Sequence, residues 1–501
     1  MIRKVLALLA PLLLGCTRSG DDSSRPVELL VTTETATLDP RYSTRALDVK
    51  LTRLVHAGLV GLDQDTLEPV PLVARGLHYI DDRTLAVELR QELRFHSGKP
   101  LDARDVCETL AALADPALGS PHRAVVRAIG ACTPEGAAHL TIRLAEPRAT
   151  LLTDLEVPVL RADQARLPMA QSSAVEGERS EPLDGLGPYR IALWKPGELR
   201  LAPADTRLLP MPRHALVVRT VRDENARALR LLAGRSDIAV NALSPALLSA
   251  LEAEPGIAVR SRLGANVTYL LMHNERSPFN RVEVRRAMAR AIDRETIATT
   301  LFAGRAQVAS WIFPPGHWAH DAGLRAEPFD AQAARAVLAG RGPVTLLTST
   351  DRARVTIARA IAQMLGDAGL EVRVMPLDLG VLLDRLDGGD YQLATLQMPE
   401  LTEPNLLKWF FHPRAVPGEG GEGKNRARWR SAEAGELLDG ASRTTDVAER
   451  RRLYARLARL MTDQAPVVPL WHEDHIAVLS ARARSFLPSA EGRWLAVAKL
   501  P

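Results

Sequence analysis

The chain has 501 residues, 25 % charged and 46 % hydrophobic. This is an ordinary globular balance, and the length suits two or three lobes with cores of their own. The formal charge is +4, and setting aside the two cations Arg3 and Lys4 leaves +2. That is too little on so long a chain to argue for nucleic-acid binding, and the arginines, interleaved with Asp and Glu, read as solvated surface.

At the N-terminus, Arg3-Lys4 precedes Val5–Leu14, an apolar run too short to span a bilayer. This is the pattern of an export signal over residues 1–15. Its end, Leu13-Leu14-Gly15-Cys16, resembles a bacterial lipobox. The resemblance implies that Cys16 is lipidated and becomes the first mature residue. Residues 16–26, with Gly20-Asp21-Asp22-Ser23-Ser24, would then be a flexible tether. A plain signal peptide with an incidental Cys is the alternative. Each buried CH₂ of an acyl chain contributes about 0.8 kcal/mol, so several chains on one residue would anchor firmly.

Beyond the tether, Val27–Val31 is an apolar strand candidate, and Leu51, Leu54, Val55 and Leu59 follow helical spacing. Leu77–Ile80 and Thr84–Leu89 flank Asp81-Asp82 as a hairpin, the second strand alternating at Leu85, Val87 and Leu89. Gly98 and Pro100 break the chain. Asp102 with Asp105 then caps a helix carrying Val106, Leu110 and Leu113. Cys107 and Cys132 are either an exported protein's disulfide or two small buried apolar residues.

The polar span Ala170–Pro182 reads as a loop or domain junction. Tyr269–Asn274 is a strand, Ser277–Asn280 a loop end, and Asn280 with Glu283 a capping pair. The helix that follows carries Val284, Ala287, Met288, Ala291 and Ile292 on one face. Val344–Thr348 and Val372–Val374 read as strands around an amphipathic helix, Val355–Leu365. Asp446 with Glu449 caps a helix bearing Leu453, Leu457, Leu460 and Met461.

Phe95-His96-Ser97-Gly98 with Ala103-Arg104-Asp105-Val106 resembles the signature of the extracellular solute-binding family 5, which serves peptide and nickel ABC importers. Ser97 stands where an Asp is usual. Further similar segments follow in the family's order. They are Leu38-Asp39-Pro40, Gly58–Leu62, Pro71–Ala74, Gly185-Leu186-Gly187-Pro188-Tyr189, Trp194-Lys195-Pro196-Gly197 and Leu231–Ile238. Val284–Ala287, Ala291–Arg294 and Ala465–Leu470 continue the series. Leu186 replaces a Thr, and the usual Asn-x-x-Tyr-Trp is replaced by Ala202–Leu208.

The resemblance implies an α/β fold of the hinged, two-lobed periplasmic-binding-protein type with an extra inserted lobe. Lobe I would take residues 27–57, 183–265 and 472–501, lobe II residues 58–182, and lobe III residues 266–471. The chain would cross between the main lobes near Tyr269 and Trp471, which suits hinge closure around a ligand.

In peptide-binding relatives an Asp four residues before a D/E-P turn takes the ligand's ammonium. Here that position, before Pro404, is Glu400. A buried ammonium requires a paired anion. A solvated loop Glu is the plain alternative, and Gln397 stands where a Trp is usual. Glu34 matches an acidic cleft position on the first strand. Arg352 and Arg354 are candidates for a ligand carboxylate, and Trp194, Trp409 and Trp471 could line side-chain pockets or serve as core.

Gly418-x4-Gly423-Lys424-Asn425 lacks the Ser/Thr of a phosphate loop. His317-x2-His320 and His472-x2-His475 have metal-like spacing without a supporting Cys or carboxylate helix, so neither a metal nor a cofactor is expected. No nucleophile–base motif appears, which argues against an extracytoplasmic enzyme. The expected protein is a monomeric, lipid-anchored receptor outside the cytoplasm that hands peptides to permease subunits. A nickel chelate, another small solute, or a non-transporting sensor role remain as alternatives.

Overall fold

The computed structural model describes residues 25–168, 183–418 and 423–501. Cys16, the tether up to Ser24, the whole Ala170–Pro182 span and residues 419–422 lie outside the described residues.

The molecule is organised on one strand, Val467–Ser480, 14 residues long. Its first part pairs antiparallel with Val267–Met272, from Leu271 opposite Val467 to Thr268 opposite Trp471. Its second part pairs antiparallel with Ile257–Leu263, from Leu263 opposite Asp474 to Ile257 opposite Ser480. It thereby joins two half-sheets into a 12-stranded sheet.

On one side stand Val267–Met272, Leu393–Met398, Val344–Ser349 and Val372–Leu377, in that spatial order. On the other stand Ile238–Val240, Val27–Val31, Leu216–Thr220, Glu198–Pro203 and Tyr189–Lys195. Val27–Val31 runs parallel to both of its neighbours, so those three strands end at the same edge. Ala306–Val308 adds a short pairing to the long strand.

Each half-sheet is covered on both faces, which is why its central strands are continuous apolar runs rather than alternating ones. Val267–Met272 is buried at every position. Tyr269 and Leu271 face one core with Trp311, Phe313 and Tyr454, while Leu270 and Met272 face another with Phe279, Ile361 and Trp471. The period-2 geometry of a strand divides one apolar run between two cores. The other half-sheet is divided likewise: Leu29 and Val31 enter one core and Leu30 another.

A separate four-stranded antiparallel sheet comprises Ala74–Asp81, Thr84–Leu89, His139–Leu144 and Ile129–Pro134. The hairpin over Asp81-Asp82 is therefore present, and Ala103–Ala114 packs on the sheet. The Asp102 carboxylate accepts from Arg104 N, and the Asp105 side chain accepts from Asp102 N at 2.9 Å. Cys107 and Cys132 form a disulfide between this helix and the Ile129–Pro134 strand, Cα–Cα 5.2 Å.

The Phe95–Gly98 segment meets the Gly185–Tyr189 segment directly. His96 N donates to Gly185 O at 3.0 Å, and the His96 ring contacts Gly187 O at 2.9 Å. A Cβ on Gly185 would lie 2.0 Å from Val55 O, so only glycine fits there. Ser97 N–H donates to Asp184 Oδ1 at 3.0 Å.

One local expectation fails. The helix Val282–Ala291 has Arg281 at its N-cap with no side-chain cap, so Asn280 and Glu283 do not form a capping pair. Glu283 pairs instead with Arg281.

The four-stranded body also touches the half-sheet that carries Val267–Met272. Thr153 Oγ1 donates to Glu403 Oε2 at 2.8 Å, Trp318 N to Thr66 O at 3.1 Å, and Arg450 to Ala149 O at 3.2 Å. Arg450 also pairs with Glu403, and its guanidinium stands over Trp318 at 5.0 Å.

Candidate functional site

The two half-sheets are joined by a second crossing, Gly264-Ala265-Asn266, which lies between Ile257–Leu263 and Val267–Met272. It runs beside His472-Glu473 of the long strand. Asn266 clamps the two crossings: its Nδ2 donates to Glu473 O at 2.7 Å and its Oδ1 accepts from Glu473 N at 2.8 Å. Gly264 N donates to the same carbonyl at 3.1 Å. A Cβ on Gly264 would fall 2.3 Å from Asn266 Nδ2 and 2.7 Å from Glu473 O. Two adjacent, mutually hydrogen-bonded connections are the geometry of a hinge that bends about one line.

Ala265 extends this junction in both directions. Its N–H donates to Ala490 O of the C-terminal segment at 2.7 Å, and its carbonyl accepts from Leu401 N at 2.6 Å. Glu400 is thus held one residue from the hinge. It is exposed, and its φ is +55°, a left-handed backbone that costs a non-glycine residue about 1–2 kcal/mol. Such conformations gather where a side chain must be presented in a particular direction.

Opposite Glu400 stands a group that no sequence signal identifies. Lys50, on the helix Ala46–Val55, lies over the Trp494 ring at 5.7 Å. Burial lowers the Lys50 ammonium's pKa, against the carboxylates of Glu400 and Glu491, which favour its charge. Burial also raises the Glu491 carboxyl. Arg493 forms a two-pronged pair with Glu156, whose carbonyl also takes Arg53. Burial works against the Arg493 charge, but Glu156 first, then Glu491 and Glu400, hold its pKa above the ordinary value. Cations and carboxylates from distant parts of the chain therefore converge beside the hinge.

His475 completes the group. Asn241 Oδ1 accepts from Ile476 N at 2.8 Å, which orients its Nδ2 to donate to His475 Nδ1 at 2.7 Å. Burial first, then Lys50, depresses the His475 pKa to about 4. Asn241 sits just past the end of Ile238–Val240, and Glu34 three residues past Val27–Val31. Both lie at the carboxyl edge of parallel strands, where open α/β sheets gather ligands.

The remaining expected residues divide sharply. Glu34 is half-buried, and its Oε2 accepts from Gly197 N at 3.0 Å, tying the first strand's exit to the Trp194–Gly197 turn. Trp194 is half-buried against the core of that half-sheet. Arg352 is exposed at the start of the helix Arg352–Asp367. Arg354 is already neutralised: Nη2 donates to Glu473 Oε2 at 3.0 Å, and Glu473 also accepts from Thr268 Oγ1 at 2.7 Å.

Trp471 has 0 % exposure and packs against Phe302 at 5.3 Å as part of the core. Trp409 is 44 % exposed and lines a basic surface groove with Lys408, Arg414 and Arg443. In the two histidine pairs, His472 and His320 are tied to the main chain. His472 Nδ1 bonds Asn266 O, and His320 Nδ1 bonds Phe313 O, both backbone carbonyls. Among the described residues no group of three or more His, Cys, Asp or Glu could hold a metal ion.

The family model of the bacterial extracellular solute-binding proteins, family 5 Middle, matches residues 68–415. This chain belongs to that family. Its members are extracytoplasmic substrate-binding proteins of transport systems. Di/tripeptide-binding protein 1 of Pseudomonas aeruginosa is 28 % identical over 291 residues, which are 56 % of this chain but only 51 % of that protein. The dipeptide-binding protein of Pseudomonas aeruginosa is 24 % identical over the whole length of both.

Among solved structures, the ABC transporter substrate-binding protein CtaP from Listeria monocytogenes superposes with a TM-score of 0.83 at 18 % identity. That match covers 94 % of this chain and 98 % of the other. It establishes the two-lobed fold, and in this chain the strand Val467–Ser480 pairs with both half-sheets.

Proposed function

We propose that the protein is the substrate-binding subunit of an ABC importer and captures peptides by closing two lobes about the hinge at residues 264–266 and 472–473. Lobe I comprises residues 27–57, 183–265 and 472–501, lobe III residues 266–471, and lobe II is the insertion 58–182. The observation that carries this reading is the placement of Glu400. An acidic side chain from lobe III is held in a left-handed backbone beside the hinge and faces Lys50, Glu491 and Arg493 of lobe I.

A peptide whose ammonium is held by Glu400 would touch lobe I as well only when the lobes shut, so that added contact favours the shut state. The names of the relatives, di/tripeptide- and dipeptide-binding proteins, support peptides as the solute class. Glu34, at the end of the first strand, would take part from lobe I. Lipidation at Cys16 would hold the protein at a membrane, where permease subunits receive the ligand.

The test is a thermal-shift screen against di- to pentapeptides and nickel chelates. Peptides with a free amine are expected to raise the midpoint. Glu400→Ala is expected to abolish that shift, and unchanged affinity in the variant would remove Glu400 from the site. A response to nickel chelates alone would replace the peptide assignment.

A further inference from the structure

A second site is built into the other side of the Val267–Met272 half-sheet, where the Val467–Ser480 strand begins. A cavity of ≈ 50 Å³ lies there, lined by Arg286, Arg294, Ser310, Trp311, Arg325 and Glu327 around an apolar wall. One water needs roughly 10–15 Å³ measured this way, so the cavity suits a group of about three to five heavy atoms. A carboxylate or a tetrahedral oxyanion has that size.

Charge selects the sign of the occupant. Arg286 and Arg290, four residues apart, share one face of the helix Val282–Ala291, and Arg294 opens the next helix, Arg294–Thr300. With Arg325 they gather about the carboxylate of Glu327. Arg290 Nε donates to Glu327 Oε1 at 2.6 Å, and Arg286 Nη2 stands 3.5 Å from Oε2. Arg294 donates to Pro469 O at 3.1 Å and also to the main-chain carbonyl of Glu327. Arg325 donates only to backbone carbonyls, those of Ala322 at 2.7 Å and Leu324 at 2.9 Å. Even counting Glu295, which bears on Arg294, cations outnumber carboxylates here.

Donors are also in surplus. Trp311 is 1 % exposed, and its indole N–H has no partner among the described residues. The buried Arg286 Nε has none either. Buried donors are nearly always paired, and those left over call for an acceptor. A metal cation is repelled by the arginines, and an apolar guest would leave the donors unused. A small oxyanion answers the size, the charge and the donors together.

The geometry points to an oxyanion site between Arg286, Arg294 and Arg325, taking the carboxylate of a small organic acid or a free phosphate. The site is separate from the hinge and binds without lobe closure.

Selenate, a phosphate-sized anion with an anomalous signal, is the probe for crystals of the whole protein. Ordered selenate within hydrogen-bond reach of Arg286 and Arg325 is expected. Crystals that diffract well and show none there would overturn the proposal. In solution, phosphate and acetate titrations at constant ionic strength in chloride distinguish the two sources. One of them should raise the thermal midpoint with saturation. The double variant Arg286→Gln/Arg325→Gln should weaken that response at least tenfold while leaving peptide binding intact. Should that variant fail to fold, Trp311→Phe, which keeps the ring and loses the N–H, should weaken it severalfold. An undiminished response in either variant would refute the site.

Discussion

The buried histidines make this protein acid-labile in a calculable way. Burial depresses His56 and His317 to about 3, and His273, His472 and His475 to about 4. An unfolded histidine takes a proton near pH 6.5. Because the folded pKa lies below the unfolded one, the unfolded chain binds more protons as pH falls. The stability these groups contribute is complete above about pH 6.5 and is lost progressively toward pH 4.

At pH 5 the gap is about 1.5 units, or about 2 kcal/mol for each histidine at about 1.4 kcal/mol per unit. Five such groups set an upper bound of about 10 kcal/mol, comparable with a whole domain's stability of about 5–15 kcal/mol. The raised carboxyls of Asp105, Asp154, Asp474 and Glu491 work in the opposite sense and limit the loss.

Urea unfolding at pH 7.5, 6.5, 5.5 and 5.0 should therefore show the midpoint falling below pH 6.5. His475→Gln keeps an acceptor for Asn241 and removes one titrating group, so its stability should fall less steeply by up to about 1.4 kcal/mol per pH unit. Histidine ring resonances followed by NMR should show that these five do not titrate above pH 5. A midpoint constant from pH 7.5 to 5.0, or a His475 that titrates near 6.5, would refute the reasoning.

Removing the Cys107–Cys132 disulfide, whose ends are 25 residues apart, should cost about 3.5 kcal/mol on the chain-entropy model. The measurement is urea unfolding of Cys107→Ser/Cys132→Ser, and an unshifted midpoint would count against it. Gly264→Ala forces a Cβ against the Asn266 amide and Glu473 O, so it should lose about 1–3 kcal/mol and bind solute more weakly. Equal affinity and stability would show that the crossing yields without cost.

Local chemistry made a good part of this molecule legible in advance. The hairpin over Asp81-Asp82, the Asp102–Asp105 capping box and the helices over Val355–Leu365 and after Asp446 depend on neighbours a few residues away, and they form as expected. The order of short motifs was equally informative about the family. It failed where a cap had a local competitor: Glu283 turns to Arg281 rather than closing a box with Asn280.

The candidate site was legible only in part. Glu400 and Glu34 stood out by position in a motif, but Lys50, Glu491, Arg493 and Asn241 carry no pattern of their own. They meet because the strand Val467–Ser480 spans two half-sheets and brings residues hundreds of positions apart to one hinge. Trp471 shows the same limit from the other side. An aromatic ring in the sequence is neutral between pocket and core, and only the pairing of its strand with Val267–Met272 and its contact with Phe302 bury it. Propensity and capping are short-range and can be read along the chain. Burial, charge pairing and pKa depend on what the fold packs against each side chain, which no stretch of sequence contains.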